Sequence, residues 1–180
     1  MNLIGELWFA FWIFLPAGVA NMSPVLANYV PILNKWNAPV DFGKSWRGKR
    51  LLGNNKRLRG VFFGIIIGAL ISVLQYIPDI YYQSSINSLG SALFNGGLLG
   101  FGAMLGDIVE SFFKRRGNIA PGKSWFPFDQ TDYIIGGLVC WLWYVNISLK
   151  TVVYIFIIYF GLHLATRYIG FKLGVNNKAI

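Results

Sequence analysis

GDIVESFFKRRGNIAPGKSWFPFDQTD, residues Gly106 to Asp132, gathers four of the chain's seven acidic residues into 27 positions, together with Lys114, Arg115, Arg116 and Lys123. The sequence on either side is apolar. Charges held at the end of a hydrophobic span carry a desolvation cost, so ionisable residues in that position read as a functional site. Asp107, Ser111 and Lys114 fall at i, i+4 and i+7, one face of a helix. Glu110 reaches Asp107 and Lys114 at three- and four-residue spacing, and Asp129 and Asp132 lie three apart beyond a Pro/Gly-interrupted loop. Two carboxylate clusters beside a basic patch are the donors needed to hold a hard divalent cation against phosphates. A row of interfacial salt bridges at a helix end would use the same residues.

Working outward, the composition places this stretch in a membrane protein. Of 180 residues, 55% are hydrophobic and only 13% charged, against about 25% charged in a soluble domain. One integral membrane domain is expected, all-α, with about five transmembrane helices and two polar loops that form an active site. The spans are expected over about 7–33, 60–78, 86–113, 131–147 and 150–170, with the loops over about 34–59 and 114–130. The first span carries 28 uncharged residues between Glu6 and Lys35, with Pro16 and Pro24 as kink points. Asp79, Tyr81 and Tyr82 mark a short connection with interfacial aromatics. Glycines thread the third span up to Gly106, where small residues allow close helix packing or clear room for a substrate. Glu6 replaces a basic leader, so no cleavable signal peptide is expected. Cys140 is the single cysteine and cannot form an internal disulfide.

The net charge of +9 could suggest a nucleic-acid partner, but its distribution argues against one. With five spans, the two loops and the tail after residue 166 share one side and hold fifteen of the sixteen basic residues; Lys150 faces the other way. The bias puts the loops and C-terminus in the cytoplasm and the N-terminus outside. It also collects basic charge around the acidic cluster, where an anionic substrate or lipid headgroup would meet it.

One motif misleads. Gly117-Asn118-Ile119-Ala120-Pro121-Gly122-Lys123-Ser124 matches the G-x-x-x-x-G-K-[ST] phosphate-loop pattern, but that loop should follow a buried strand and open a helix. Here it follows a charged helix end and runs into Trp125-Phe126-Pro127-Phe128. Its backbone amides could still touch a phosphate. His163 lacks a second His or a Cys nearby and reads as a buried hydrogen-bonding group rather than a metal ligand. Asn146-Ile147-Ser148 fits a glycosylation sequon but lies too near the membrane to serve as one.

Gly106-Asp107, Ser111 and Lys114-Arg115, followed by Phe128-Asp129-Gln130-x-Asp132, resemble the signature of the CTP-dependent phosphatidate cytidylyltransferase superfamily, most nearly its short archaeal-type branch, the CDP-archaeol synthases. Pro39-Val40-Asp41-Phe42-Gly43 and Gly53-Asn54-Asn55-Lys56-Arg57-Leu58-Arg59-Gly60 are similar to two further elements of that branch, and Asn21 with Pro24 to an Asn-x-x-Pro in its first helix. Arg57 stands where the family usually has Thr, and Arg47 and Asn54 where acidic residues are common; these departures bear on nucleotide contacts in the first loop. The resemblance implies transfer of a cytidylyl group from CTP to an acidic lipid phosphate of the geranylgeranyl-ether type, giving a CDP-activated lipid and pyrophosphate.

On that reading Asp107, Asp129 and Asp132 are the expected metal ligands and, with Lys114, the catalytic set. The ion expected is Mg2+, because the donors are oxygens and the partners phosphates. Ser111, Lys114 and Arg115 would hold phosphate groups. Lys56 and Arg59 would reach the CTP triphosphate, with Lys123, Asp41 and Asn21 as further substrate contacts. The alternatives are a CDP-diacylglycerol synthase acting on phosphatidic acid, a small channel or transporter, an assembly protein, and a CDP-alcohol phosphotransferase. The last lacks its Asp-Gly-x-x-Ala-Arg pattern here.

Overall fold

Helix ends follow capping chemistry in the computed structural model, which describes residues 2–27, 30–76, 86–172 and 174. Asn2 accepts from the Gly5 amide and opens α1, Leu3–Leu26. A short α2, Pro31–Asn34, begins on a proline whose missing N–H costs nothing at a first turn. α3 spans Leu58–Tyr76. Ser88 and Ser91 form a reciprocal capping box for α4, Leu89–Arg116, whose last turn carries Lys114, Arg115 and Arg116. α5, Phe128–Trp141, follows the second loop, and α6, Leu149–Lys172, opens on the Ser148 hydroxyl, which accepts from the Thr151 amide at 3.1 Å.

α1, α3, α4 and α6 are each long and apolar enough to cross a membrane. α5 has 14 residues. At about 1.5 Å per residue it is too short to cross a ~30 Å hydrocarbon core alone. Glu6, near the start of α1, pairs with Lys150, at the start of α6, at 2.6 Å. The turn over 142–148 therefore returns the chain from α5 to the end of the bundle opposite the acidic cluster. The span expected over 7–33 divides into α1 and α2, and α4 runs to Arg116, three residues beyond the expected 113. The Asp79–Tyr82 connection lies outside the described residues.

α4 is the central helix, packed on α3, α5 and α1. Its core residues Leu99, Ala103 and Met104 meet Phe14 of α1, Ile134 and Trp141 of α5 and Ile155 of α6. Burying apolar surface gives little drive between helices already in lipid, so close packing and interhelical hydrogen bonds carry the association. The Trp141 indole donates to Asn95 Oδ1 at 2.6 Å, and Asn95 Nδ2 donates to Ser72 Oγ at 3.2 Å, which ties α5, α4 and α3 together. Tyr133 donates to the Tyr159 carbonyl at 2.8 Å, and Tyr159 to that of Phe11 at 2.6 Å. These bonds fix α5 and α6 against α1. In membrane bundles each is worth roughly 0.6 to 2 kcal/mol.

The first loop is not featureless. Ser45–Trp46 and Lys49–Arg50 pair as a two-stranded antiparallel ribbon, with Ser45 opposite Arg50 and Trp46 opposite Lys49. The two turn residues, Arg47 and Gly48, both have positive φ, 52° and 75°. That is the backbone a two-residue hairpin with right-handed strand twist requires.

Candidate active site

The site is built where the last turns of α4 meet the first turns of α5. Gly102, Gly106 and Gly136 make this possible. A Cβ at Gly102 would lie 2.6 Å from the Gly136 carbonyl oxygen, and one at Gly106 would fall on the Asp132 carbonyl. Backbone-to-backbone contact at Gly106 sets the neighbouring Asp107 side chain beside Asp132. The polarity of the two helices also suits the charges. Carboxylates on the first turns of α5 meet its positive end, and cations on the last turn of α4 meet its negative end.

Asp107, Glu110 and Asp132 converge, each offering a carboxylate oxygen within 4.8 Å of the others. Three oxygen donors drawn together in this way fit a hard divalent cation such as Mg2+. Asp129 lies outside this trio. Its Oδ1 accepts from Lys114 Nζ at 2.6 Å and its Oδ2 from the Trp125 amide at 3.0 Å. Lys114 also pairs with Glu110 at 3.1 Å, so it joins the trio to Asp129. Lys56 Nζ reaches across from the first loop to Asp107 Oδ1 at 2.5 Å.

These groups line one polar chamber of about 260 Å³. Lys56, Asp107, Ser111, Lys114, Arg115, Lys123, Asp129 and Asp132, all anticipated from the sequence, share its walls with Glu110, Asn55, Ser124 and Arg167. The phosphate-loop look-alike is a turn-rich loop with no strand before it, and its Pro121–Ser124 end forms one wall. Five cationic side chains face four carboxylates, a formal surplus of one positive charge when every group is counted as ionised.

A second polar cavity of about 320 Å³ lies on the other side of the Lys56–Asp107 pair, lined by Pro24, Asn55, Arg57, Arg59 and Met104 among others. Arg59, buried, donates to the Leu33 carbonyl at 3.4 Å and to Asn37 Oδ1 at 2.9 Å. A third space, about 420 Å³ and almost wholly apolar, runs along the outside of α4 and α5 past Leu105, Val109, Phe113, Ile135 and Val139. Glu110 and Asp132 are among its lining residues, and the same two residues line the polar chamber.

Two anticipated substrate contacts stand apart from these spaces. Asp41 is buried and tied into its own loop. Arg50 donates to it at 2.7 Å, and the amides of Gly43, Leu52 and Gly53 donate at 3.0, 3.0 and 3.3 Å. Burial opposes its ionisation, but Arg50 and the three amides outweigh that and hold its carboxyl at about 2. Asn21 is half-buried on α1, outside the linings of both polar chambers. His163 lies against the Tyr133 ring at 5.9 Å. Glu110 and Arg167, which line the chamber, are not among the site residues expected from the sequence. Glu110 had a usable signal, its i, i+3 spacing from Asp107; Arg167 had none, since a cation ending an apolar span has an ordinary interfacial role.

The CarS-like family model, described as CDP-archaeol synthase, matches residues 1–179. The CDP-archaeol synthase of Thermococcus kodakarensis is 34% identical over 177 residues, covering 97% of this chain and 96% of that protein. Those of Pyrococcus furiosus and Methanocaldococcus jannaschii are 37% and 35% identical, with 91% and 95% of this chain covered and 92% and 96% of theirs. A solved structure of an intramembrane enzyme for archaeal membrane lipid biosynthesis superposes with a TM-score of 0.73 at 28% identity, covering 87% of this chain and 91% of that one.

Proposed function

The chain belongs to the CDP-archaeol synthase family, and from that premise we propose how its polar chamber carries out cytidylyl transfer. The enzyme is an integral membrane cytidylyltransferase that makes CDP-archaeol from CTP and an archaeal lipid phosphate. In this reaction a phosphate oxygen of the lipid forms a bond to the α-phosphorus of CTP. The α–β phosphoanhydride bond breaks, and pyrophosphate leaves with the electron pair.

Both reactants are anions. A phosphomonoester alone brings a charge of about −1.5 to −2 at neutral pH. The chamber's formal surplus of one positive charge does not offset that. A divalent cation held by Asp107, Glu110 and Asp132 would supply the missing charge stabilisation. Asp129, expected from the sequence as a ligand, instead orients Lys114 in this reading. Lys114 and Arg115 bind the phosphates at the α4 end, Lys123 and the Gly122 turn bind them from the second loop, and Lys56 from the first. Arg59, held by Leu33 and Asn37, faces the second cavity, where the remainder of the nucleotide would fit. The attacking oxygen is already ionised, so positioning and electrostatics rather than proton transfer set the rate.

The observation that carries this reading is the double membership of Glu110 and Asp132. Both residues belong to the lining of the apolar groove and to that of the chamber. A lipid with its chains along Leu105, Val109, Ile135 and Val139 would present its phosphate at these carboxylates, beside the bound cation. The excess of basic residues in the loops supports a cytoplasmic position for this end of the bundle, with the N-terminus outside. The test is to incubate purified protein with labelled CTP, MgCl2 and either the ether-lipid phosphate or phosphatidic acid, and to identify products. CDP-archaeol formed only with added metal, and lost in Asp107→Asn, is the expected result. Full turnover in Asp107→Asn, or in chelator, would remove the metal assignment.

A further inference from the structure

The geometry points to Arg116 as a positioning residue for the nucleotide site, acting through the first loop without touching the chamber. Arg116 is the last residue of α4 and does not line the chamber. Its guanidinium donates to three carbonyls of the ribbon in the first loop: Nη1 to Trp46 at 2.7 Å, and Nη2 to Arg50 at 2.7 Å and Lys49 at 3.2 Å. The bond is returned, since Lys49 Nζ donates to the Arg116 carbonyl at 3.3 Å. The guanidinium also lies over the rings of Trp46 and Phe112, at 5.5 and 5.3 Å, and those rings stack on each other.

Arg116 is thus a clasp between the rigid end of α4 and the tip of a long polar loop. The connection runs onward. Arg50, whose carbonyl Arg116 holds, grips Asp41 with its side chain, and Asp41 fixes the amides of Leu52 and Gly53. Lys56 follows three residues later and enters the chamber against Asp107. A planar group with five fixed N–H donors can bridge three carbonyls at once, and an ammonium cannot hold that fork geometry. The clasp sets where Lys56 stands when CTP arrives.

This inference rests on the reading of Lys56 as a CTP contact, and the experiment separates the two. CTP affinity with MgCl2 is measured without lipid for the parent, Lys56→Ala, Arg116→Ala, Arg116→Lys and the double variant Lys56→Ala/Arg116→Ala. Helix content and thermal midpoint serve as controls for folding. Arg116→Ala is expected to weaken CTP binding about tenfold, the size of coupling seen between interacting groups. Arg116→Lys should not restore it, and the lipid KM should hardly move. In the Lys56→Ala background, Arg116→Ala should add less than about a twofold further loss, because its route to the nucleotide is gone. Trypsin should cut faster after Lys49 and Arg50 in Arg116→Ala, since the carbonyls it attacks are those the clasp covers. If Lys56→Ala weakens CTP but Arg116→Ala does not, or if Arg116→Ala costs as much in both backgrounds, the positioning role is overturned and the chamber reading stands. Unchanged CTP affinity in Lys56→Ala overturns the chamber reading and this inference with it.

Discussion

Gly106 of α4 lies against the main-chain carbonyl of Asp132 in α5, with no room for a β-carbon between them. The contact decides where the two acidic helix ends meet. Asp107 follows Gly106, and its carboxylate oxygen lies within 4.8 Å of those of Asp132 and Glu110. The convergence of these carboxylates is therefore set partly by a residue with no side chain.

Gly106→Ala should push α5 away from α4. Overpacking of this kind costs about 1 to 3 kcal/mol. A shift of about 1 Å at the reacting groups can cost on the order of a hundredfold in rate. Helix content in detergent should persist, with a lower thermal midpoint and a much lower turnover number. Wild-type turnover in this variant would show that the carboxylates do not depend on the close approach.

The carboxylates should separate into two groups. Glu110→Gln and Asp132→Asn remove donors from the converging trio and should each weaken magnesium activation as strongly as Asp107→Asn. Asp129→Asn leaves the trio intact and loosens Lys114, so its loss should appear in substrate affinity. Titrating MgCl2 against activity in the four variants checks this. Asp129→Asn behaving as the metal-binding variant, with Glu110→Gln unaffected, would return the ligand set to the three aspartates read from the sequence.

Asp41 gives a pH-dependent prediction. Its carboxyl sits at about 2 in the folded protein against an ordinary 3.8. A depressed value means stability that is fully present above the unfolded value and is lost as pH falls toward the folded one. The contribution is about 2 kcal/mol at neutral pH. Asp41→Asn should lower the thermal midpoint at pH 7, and the gap from the parent should narrow between pH 4 and pH 2. A gap of constant size would mean that the carboxylate's charge is not what ties the loop.

Asn95→Leu tests the bundle away from the chemistry. It leaves the Trp141 indole N–H without its acceptor in a dry interior. Leaving such a donor unsatisfied costs about 1 to 3 kcal/mol. The thermal midpoint should fall while the KM for CTP stays near that of the parent. A change in KM as large as that of Lys56→Ala would show that the helix core and the nucleotide site are coupled.

Much of this was legible in the residues. The i, i+4, i+7 row of Asp107, Ser111 and Lys114 places three groups on one face whatever the rest of the fold does, and all three line the chamber. From the sequence Asp107, Asp129 and Asp132 read together as ligands, and nothing in their spacing separates Asp132, which joins Asp107 and Glu110, from Asp129, which does not. The difference depends on how α5 is rotated, which is set by Gly102, Gly106 and Gly136 and not by acid spacing. Glu110 was visible beside Asp107 but is just as consistent with a simple ion pair to Lys114. The ribbon in the first loop had a signal in Arg47-Gly48, masked by a strand length of two residues on each side. Asp41 matched a family element, yet its role in holding Leu52 and Gly53 is a long-range fact that no local pattern encodes.

The apolar groove faces outward, with Val109, Phe113 and Val139 about half exposed or more. A substrate seated there never has to leave the bilayer. Its supply is then governed by two-dimensional diffusion and by mole fraction in the surrounding lipid, not by bulk molarity. Diluting the substrate with inert lipid should slow the enzyme at constant total substrate, while adding more vesicles of the same composition should not.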